Sequence, residues 1–282
     1  MKVIVVASQK GGVGKTTTTV NLGASLASGG ARVLHIDLEL QGQLGVSLGA
    51  FARKPQDIGS ALLDYIDAQD SGDLDAMPDL ASRMIDRSVL LKEFENPGTL
   101  HVIGSVMGVT DRARAEVAKR GWEATSILRQ LLLTVQDDFD FVLVDTPPSA
   151  DALSAVALAA ADYVVAICNP RLATADGARV VRNNTLKVPE RTNGACQPVF
   201  LGTVLNEAQP PSKRTEEADA VNEYLAQSKL ARFDSEIRTS PQISASYGIS
   251  RPIVIDEPSY AASRWYEDLT FEVIARIKAM TT

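Results

Sequence analysis

Residues Lys10-Gly11-Gly12-Val13-Gly14-Lys15-Thr16-Thr17 constrain this chain more than any other stretch. They follow a run of β-formers, Lys2 to Ala7, and open a helical pattern that runs from Lys15 to Ser28. Strand, glycine-rich turn and helix in that order form a phosphate cradle. Gly11, Gly12 and Gly14 let the backbone turn tightly and point N–H groups inward, and the helix adds its positive N-terminal end. Val13 and Thr17 complete the cradle. Lys15 is spaced to reach β- and γ-phosphates, and the Thr16 hydroxyl to bind the Mg²⁺ that bridges them. A generic loop, G-x-x-x-x-G-K-[ST], asks for glycine where this chain has Gln9. A second lysine, Lys10, stands at the loop's entrance instead. One lysine suffices for phosphates held within one subunit. A second one there implies phosphates gripped by two subunits, and so a nucleotide-driven dimer.

The rest of the 282 residues supports one α/β domain over 1–282. Apolar runs at Lys2–Ala7, Arg32–Asp37, Leu100–Ile103, Phe141–Asp145, Tyr163–Cys168, Val199–Leu205 and Arg232–Ile237 read as strands. Runs such as Val142-Leu143-Val144 are apolar without interruption, as strands covered on both faces must be. Helical patterns alternate with them, including Ser126–Val135 and Glu216–Ser228. Alternation of this kind predicts a doubly wound, mostly parallel sheet with helices on both faces. Residues 50–98 stand out, with six aspartates between Asp64 and Asp79, and read as a variable, partly helical excursion. Net charge is −7, with 14 Lys/Arg against 21 Asp/Glu in residues 1–170 and 14 against 14 in 171–282. A polyanion-binding face is therefore expected in the C-terminal part. Two cysteines without metal-ligand spacing, and no signal-peptide pattern, fit a reducing, cytoplasmic setting.

The motif Lys10–Thr17 resembles the deviant Walker A sequence of the ParA/MinD superfamily, and the chain resembles ParA proteins over nearly all its length. The resemblance implies an ATP-dependent sandwich dimer in which Lys10 contacts the ATP of the other subunit. ATP would favour the dimer and ADP would release it.

Two strand ends supply carboxylates, Asp37 and Asp145, where ligands of open α/β sheets sit. Asp145-Thr146-Pro147-Pro148-Ser149 resembles the family's Walker B and switch II segment, which implies that Asp145 holds Mg²⁺ through water. Asp37 resembles the Walker A′ aspartate, which implies that it belongs to the catalytic set and to the metal ligands with Thr16 and Asp145. The family's switch I typically reads D-x-D-P-Q-G-N. Here it is Asp37-Leu38-Glu39-Leu40-Gln41-Gly42-Gln43, so the residue that positions the attacking water is Glu39. One added methylene displaces the carboxylate by about 1 Å, a misplacement that can cost ~10²-fold in rate. Slow hydrolysis and a long-lived dimer are expected.

Asn206 follows the run Val199–Leu205 and matches the asparagine that recognises adenine in the family; an amide offers both a donor and an acceptor. Ile237-Arg238-Thr239-Ser240-Pro241 resembles the loop that packs on the base, which places Pro241 there. The resemblance further implies non-specific DNA binding, a nucleoid-associated location in a bacterial or archaeal cell, and an adaptor of the ParB kind that stimulates hydrolysis. Phosphate contacts carry no linear motif; Arg182, Lys187, Lys213, Arg214, Arg238 and Arg251 are the candidates. The chain opens on its first strand, without the helix-turn-helix extension of some plasmid ParA proteins. A MinD-like membrane switch needs a basic amphipathic C-terminal helix. Glu267, Asp268 and Glu272 against Arg276 and Lys278 favour a helix packed on the sheet instead. An electron-transfer ATPase needs cluster-ligating cysteines near Asp145, and none is there.

Overall fold

Continuous apolar strands joined by amphipathic helices can bury both sheet faces only by winding the helices onto each side. The computed structural model, which describes residues 1–148 and 151–281, has this arrangement. Seven strands, among the described residues, form one sheet in the order β3-β4-β2-β5-β1-β6-β7. They are β1 (Lys2–Ala7), β2 (Arg32–Asp37), β3 (Ile85–Asp86), β4 (Thr99–Ile103), β5 (Phe141–Asp145), β6 (Tyr163–Cys168) and β7 (Val199–Leu205). All neighbours are parallel except β3, which runs against β4 at the edge. The helices are α1 (Lys15–Ser28), α2 (Gln43–Ser47), α3 (Ile58–Ser71), α4 (Met107–Arg120), α5 (Ile127–Leu133), α6 (Ala152–Ala160), α7 (Leu172–Arg191), α8 (Glu216–Gln227), α9 (Pro241–Gly248), α10 (Ile253–Asp256) and α11 (Ala261–Thr281).

Strand side chains alternate between two cores. Val3, Val5 and Ala7 of β1 join one core with α3 to α8, while Ile4 and Val6 join the other with α1, α10 and α11. Side-chain caps start several helices: Asp57 accepts from Ser60 N at 2.9 Å before α3, Asp151 from Ser154 N at 3.0 Å before α6, and Thr215 from Ala218 N at 3.2 Å before α8. Helix α11 buries Tyr266, Leu269, Val273 and Ile277 in the core. Its apolar face is thus occupied by the core it shares with α1 and α10, and no helix among the described residues is long and apolar enough to cross a membrane.

Two segments differ from the sequence expectation. Arg232–Ile237 is not a strand; Arg232 makes only a single bridge to Thr203, and Arg238 one to Ala208. Phe233 N and Ile237 N donate to the β7 carbonyls of Thr203 and Leu205, and side chains of α11 take backbone groups between and around them. Arg276 donates to the carbonyls of Leu201, Ala231 and Arg232, and Glu272 accepts from the N–H groups of Asp234 and Ser235. In residues 50–98, α3 lays Ile58, Ala61, Leu62 and Ile66 into the core, and two residues, Ile85 and Asp86, extend the sheet. The aspartates face outward from an element that otherwise packs as core.

Helix α1 crosses β2 at a close approach. A Cβ on Gly23 would lie 2.2 Å from His35 Nε2, and that nitrogen contacts the Thr19 carbonyl at 3.2 Å. Burial pushes the His35 imidazole down to about 4, so it is neutral in the fold. The unfolded chain holds its proton up to the ordinary range near 6.5, so between pH 6.5 and 4 it binds more protons than the folded one. Stability should therefore fall through this window, by about 3 kcal/mol in all. The buried Asp37 carboxyl, raised by burial and by Asp145, pulls the other way. The test is accordingly the difference in urea midpoint between wild type and His35→Gln. That difference should shift against wild type from pH 7.5 to 4, and a constant difference contradicts the account.

Candidate nucleotide site

The chain leaves β1 for β2 on one side and later returns to β6 on the other, so a crevice opens at the carboxyl end of β1. The loop after β1 fills its floor. Gly12 (φ 72) and Gly14 (φ 84) adopt the left-handed conformation that turns successive N–H groups into one concavity. Lys10 lies exposed at the mouth and makes no ion pair among the described residues; Lys15, at the first turn of α1, is buried. The cleft measures about 480 Å³ and is lined by Lys10 to Gly12, Gly14 to Thr17, Glu39, Pro148, Asn206 and Arg238, among others. That volume suits a small ligand.

Strand register explains the acidic wall. Asp37 and Asp145 are direct partners across β2 and β5, both fully buried. Asp145 accepts from Lys15 Nζ at 2.9 Å and from the Thr16 hydroxyl at 2.6 Å. Asp37 accepts from the backbone N–H of Glu39 and of Leu44, each at 3.0 Å. It thereby ties the switch I segment to the sheet. Burial, and then the Asp145 charge, hold the Asp37 carboxyl well above the usual range. Glu39 reaches within 3.8 Å of Lys15 Nζ, and burial raises its carboxyl, with Lys15 offsetting part of the rise. Asp145 and Glu39 thus share the one buried ammonium of Lys15, with the Asp37 carboxyl packed behind them, a setting that favours a further cation.

Magnesium fits this donor set. No group of three or more His, Cys, Asp or Glu side chains among the described residues is arranged to hold a metal alone. Mg²⁺ does not need one: it keeps several waters and takes one or two protein oxygens plus substrate phosphates. The Thr16 hydroxyl beside the Asp145 carboxylate supplies that partial shell.

Of the residues read from sequence, the crevice gathers Lys10, Gly11, Gly12, Gly14, Lys15, Thr16, Thr17, Glu39 and Asn206. Val13 is buried beneath, its carbonyl accepting from Asn206 Nδ2 at 2.8 Å. The amide that was expected to read the base therefore also braces the phosphate loop. Pro241 starts α9 behind the wall, while Ser240, Ile243 and Ser244 face the cleft. Ser149 lies outside the described residues. Gln41 and Gln43 line the cleft from the switch I segment, and Glu207 and Tyr266 line it as well and carry no motif that the sequence could signal. The six candidate DNA contacts do not share one place. Arg182 and Lys187 lie along α7, and Lys213 and Arg214 lie on the turn before α8. Arg238 lines the cleft itself, and Arg251 pairs with Asp256 at 3.4 Å.

A phosphate loop on a doubly wound sheet, with aspartates ending the two strands beside it, defines a P-loop nucleotide-binding protein. The chain belongs to the AAA domain family AAA_31, which matches residues 1–197, and it is a ParA-type member of the ParA/MinD superfamily. It is 27% identical to the chromosome partitioning protein ParA of Caulobacter vibrioides over 98% of this chain and 95% of that one. The apo McdA structure from Cyanothece superposes with a TM-score of 0.78 at 21% identity, covering 97% and 99% of the two chains. Cobyrinic acid a,c-diamide synthase from Mycobacterium smegmatis, with a bound ATP analogue and magnesium, superposes at 0.74 and 24% identity over 99% and 96%.

Proposed function

We propose that this chain is an ATP-switched dimer that binds DNA non-specifically and positions a plasmid, a chromosome or a protein assembly, with slow hydrolysis that an adaptor accelerates. The single observation that carries the switch is the contrast between the two lysines. Lys15 is buried and held by Asp145 within the subunit. Lys10 is exposed at the mouth of the same cleft without an ion-pair partner among the described residues. A cation so placed gains most from the phosphates of a nucleotide bound across an interface. The name of the Caulobacter relative supports a partitioning role.

The proposed cycle runs as a sequence of steps at this cleft. Phosphates entering the cradle would compete with Asp145 for Lys15 and so free the Asp145 carboxylate. The Thr16 hydroxyl and the Asp145 carboxylate would hold Mg²⁺, which when bound would supply charge neutralisation at the phosphates. Glu39 then orients or deprotonates the attacking water. Its added methylene should slow this step: Glu39→Asp is expected to raise the single-turnover hydrolysis rate, by up to ~10²-fold. An unchanged or lower rate would show that Glu39 is already well placed. The DNA reading is tested by filter retention of duplex DNA at low salt. Retention is expected with ATP and Mg²⁺ and not with ADP, and no retention with ATP sinks that part of the proposal.

A further inference from the structure

We infer that Glu207 is a base-reading residue, its carboxylate accepting a hydrogen bond from the exocyclic amine of adenine. This rests on the cleft taking ATP, and deepens that reading. Three observations point to it. First, Asn206 is tied to the phosphate loop: Nδ2 donates to the Val13 carbonyl, and a Cβ on Gly14 would lie 2.2 Å from it. That contact takes one of the amide's two N–H donors and holds the side chain toward the loop, so a second group beside it has room to read the base.

Second, Glu207 has φ 54, a left-handed conformation that a non-glycine residue adopts at a cost. Strain of this sort persists where the surroundings fix it, and such positions cluster at ligand clamps. Here they do fix it. Ala208 N donates to the Ile237 carbonyl at 2.9 Å, which pins the backbone after Glu207. Asn169 Nδ2 donates to Glu207 Oε2 at 3.4 Å, and Asn169 is in turn held by the Thr174 hydroxyl, 2.7 Å from its Oδ1. The carboxylate is thus oriented by a two-residue relay. It makes no ion pair among the described residues, not even with Arg238, which lines the same cleft.

Third, the topology puts Glu207 at the base end. Phosphates sit after β1 and the metal toward β5 and β2. Glu207 follows β7, two strands away on the opposite side. Adenine presents a donor pair at its exocyclic nitrogen, and an ionised carboxylate is a strong acceptor for it. Inosine offers a carbonyl at the same position, which would meet the carboxylate acceptor to acceptor. Purine riboside offers only C–H.

Competition of ATP, ITP and purine riboside triphosphate against a fluorescent ATP analogue tests this. Wild type should bind ATP on the order of 10- to 100-fold more tightly than either analogue, the range for a hydrogen bond to a charged group. Glu207→Ala should bind the three within about threefold of one another, with affinity for purine riboside triphosphate unchanged. Glu207→Asn, whose side chain tolerates the left-handed backbone, is the check on folding and should lose most of the discrimination as well. Variants that keep the wild-type preference for ATP overturn the inference and leave ATP binding standing. A wild type that binds none of the three overturns the nucleotide reading itself.

Discussion

Lys15→Ala is expected to lower kcat/KM for ATP by about 10³-fold, the scale on which removal of one preorganised charge donor acts. Lys15 is the cation within the subunit that can neutralise transferring phosphate, and the loop presents it from the first turn of α1. The substitution should also weaken the fold, because Lys15 is the buried partner of Asp145. Asp145 would then lie fully buried beside Asp37 with only hydroxyl donors, Thr16 at 2.6 Å and Thr19 at 3.4 Å. Leaving a buried charge without its partner costs roughly 3–5 kcal/mol at the upper end. The two effects separate in the double variant Lys15→Met with Asp145→Asn. Its urea midpoint should return toward wild type while its ATPase stays lost. A Lys15→Ala protein with near-normal turnover would remove the phosphate site from the account.

Lys10→Ala should do the reverse. Lys10 is exposed and pairs with nothing among the described residues, so stability should stay within about 0.5 kcal/mol of wild type. Binding of ATP to the single subunit should change little. The ATP-dependent self-association should weaken by ~10²-fold or more, since truncating one partner of a desolvated charge pair across an interface costs about 2–5 kcal/mol. Hydrolysis should fall with it, since the proposal makes the dimer the competent form. Equal loss of ATP affinity and dimerisation would make Lys10 a second lysine within the subunit.

Much of this site was legible before the structure. Lys2–Ala7, Arg32–Asp37, Phe141–Asp145, Tyr163–Cys168 and Val199–Leu205 stand as strands with the bounds read from their apolar runs, because buried parallel strands admit little else. Strand ends then located Asp37 and Asp145, and the register paired them. What escaped depends on contacts distant in sequence. Arg232–Ile237 looks like a strand by composition, yet it shares its backbone groups between β7 and the Arg276 and Glu272 side chains of α11. Two residues of β3 are too few for any period. Asn206 reads as a base contact from sequence and does line the cleft, but its added tie to Val13 spans 193 positions that no motif links. Glu207 had no signature at all; only its backbone conformation and its place in the cleft mark it. Glu39 is the converse, since its departure from the family's aspartate was visible from sequence, and the structure adds its 3.8 Å approach to Lys15.

Sedimentation velocity decides the central claim, that ATP joins two subunits through Lys10. Wild type with a slowly hydrolysed ATP analogue and Mg²⁺ should sediment as a dimer, and with ADP as a monomer. Lys10→Ala should remain monomeric with both at the same concentration. A wild type whose association is the same with either nucleotide, or a Lys10→Ala protein that dimerises as readily as wild type, contradicts the account.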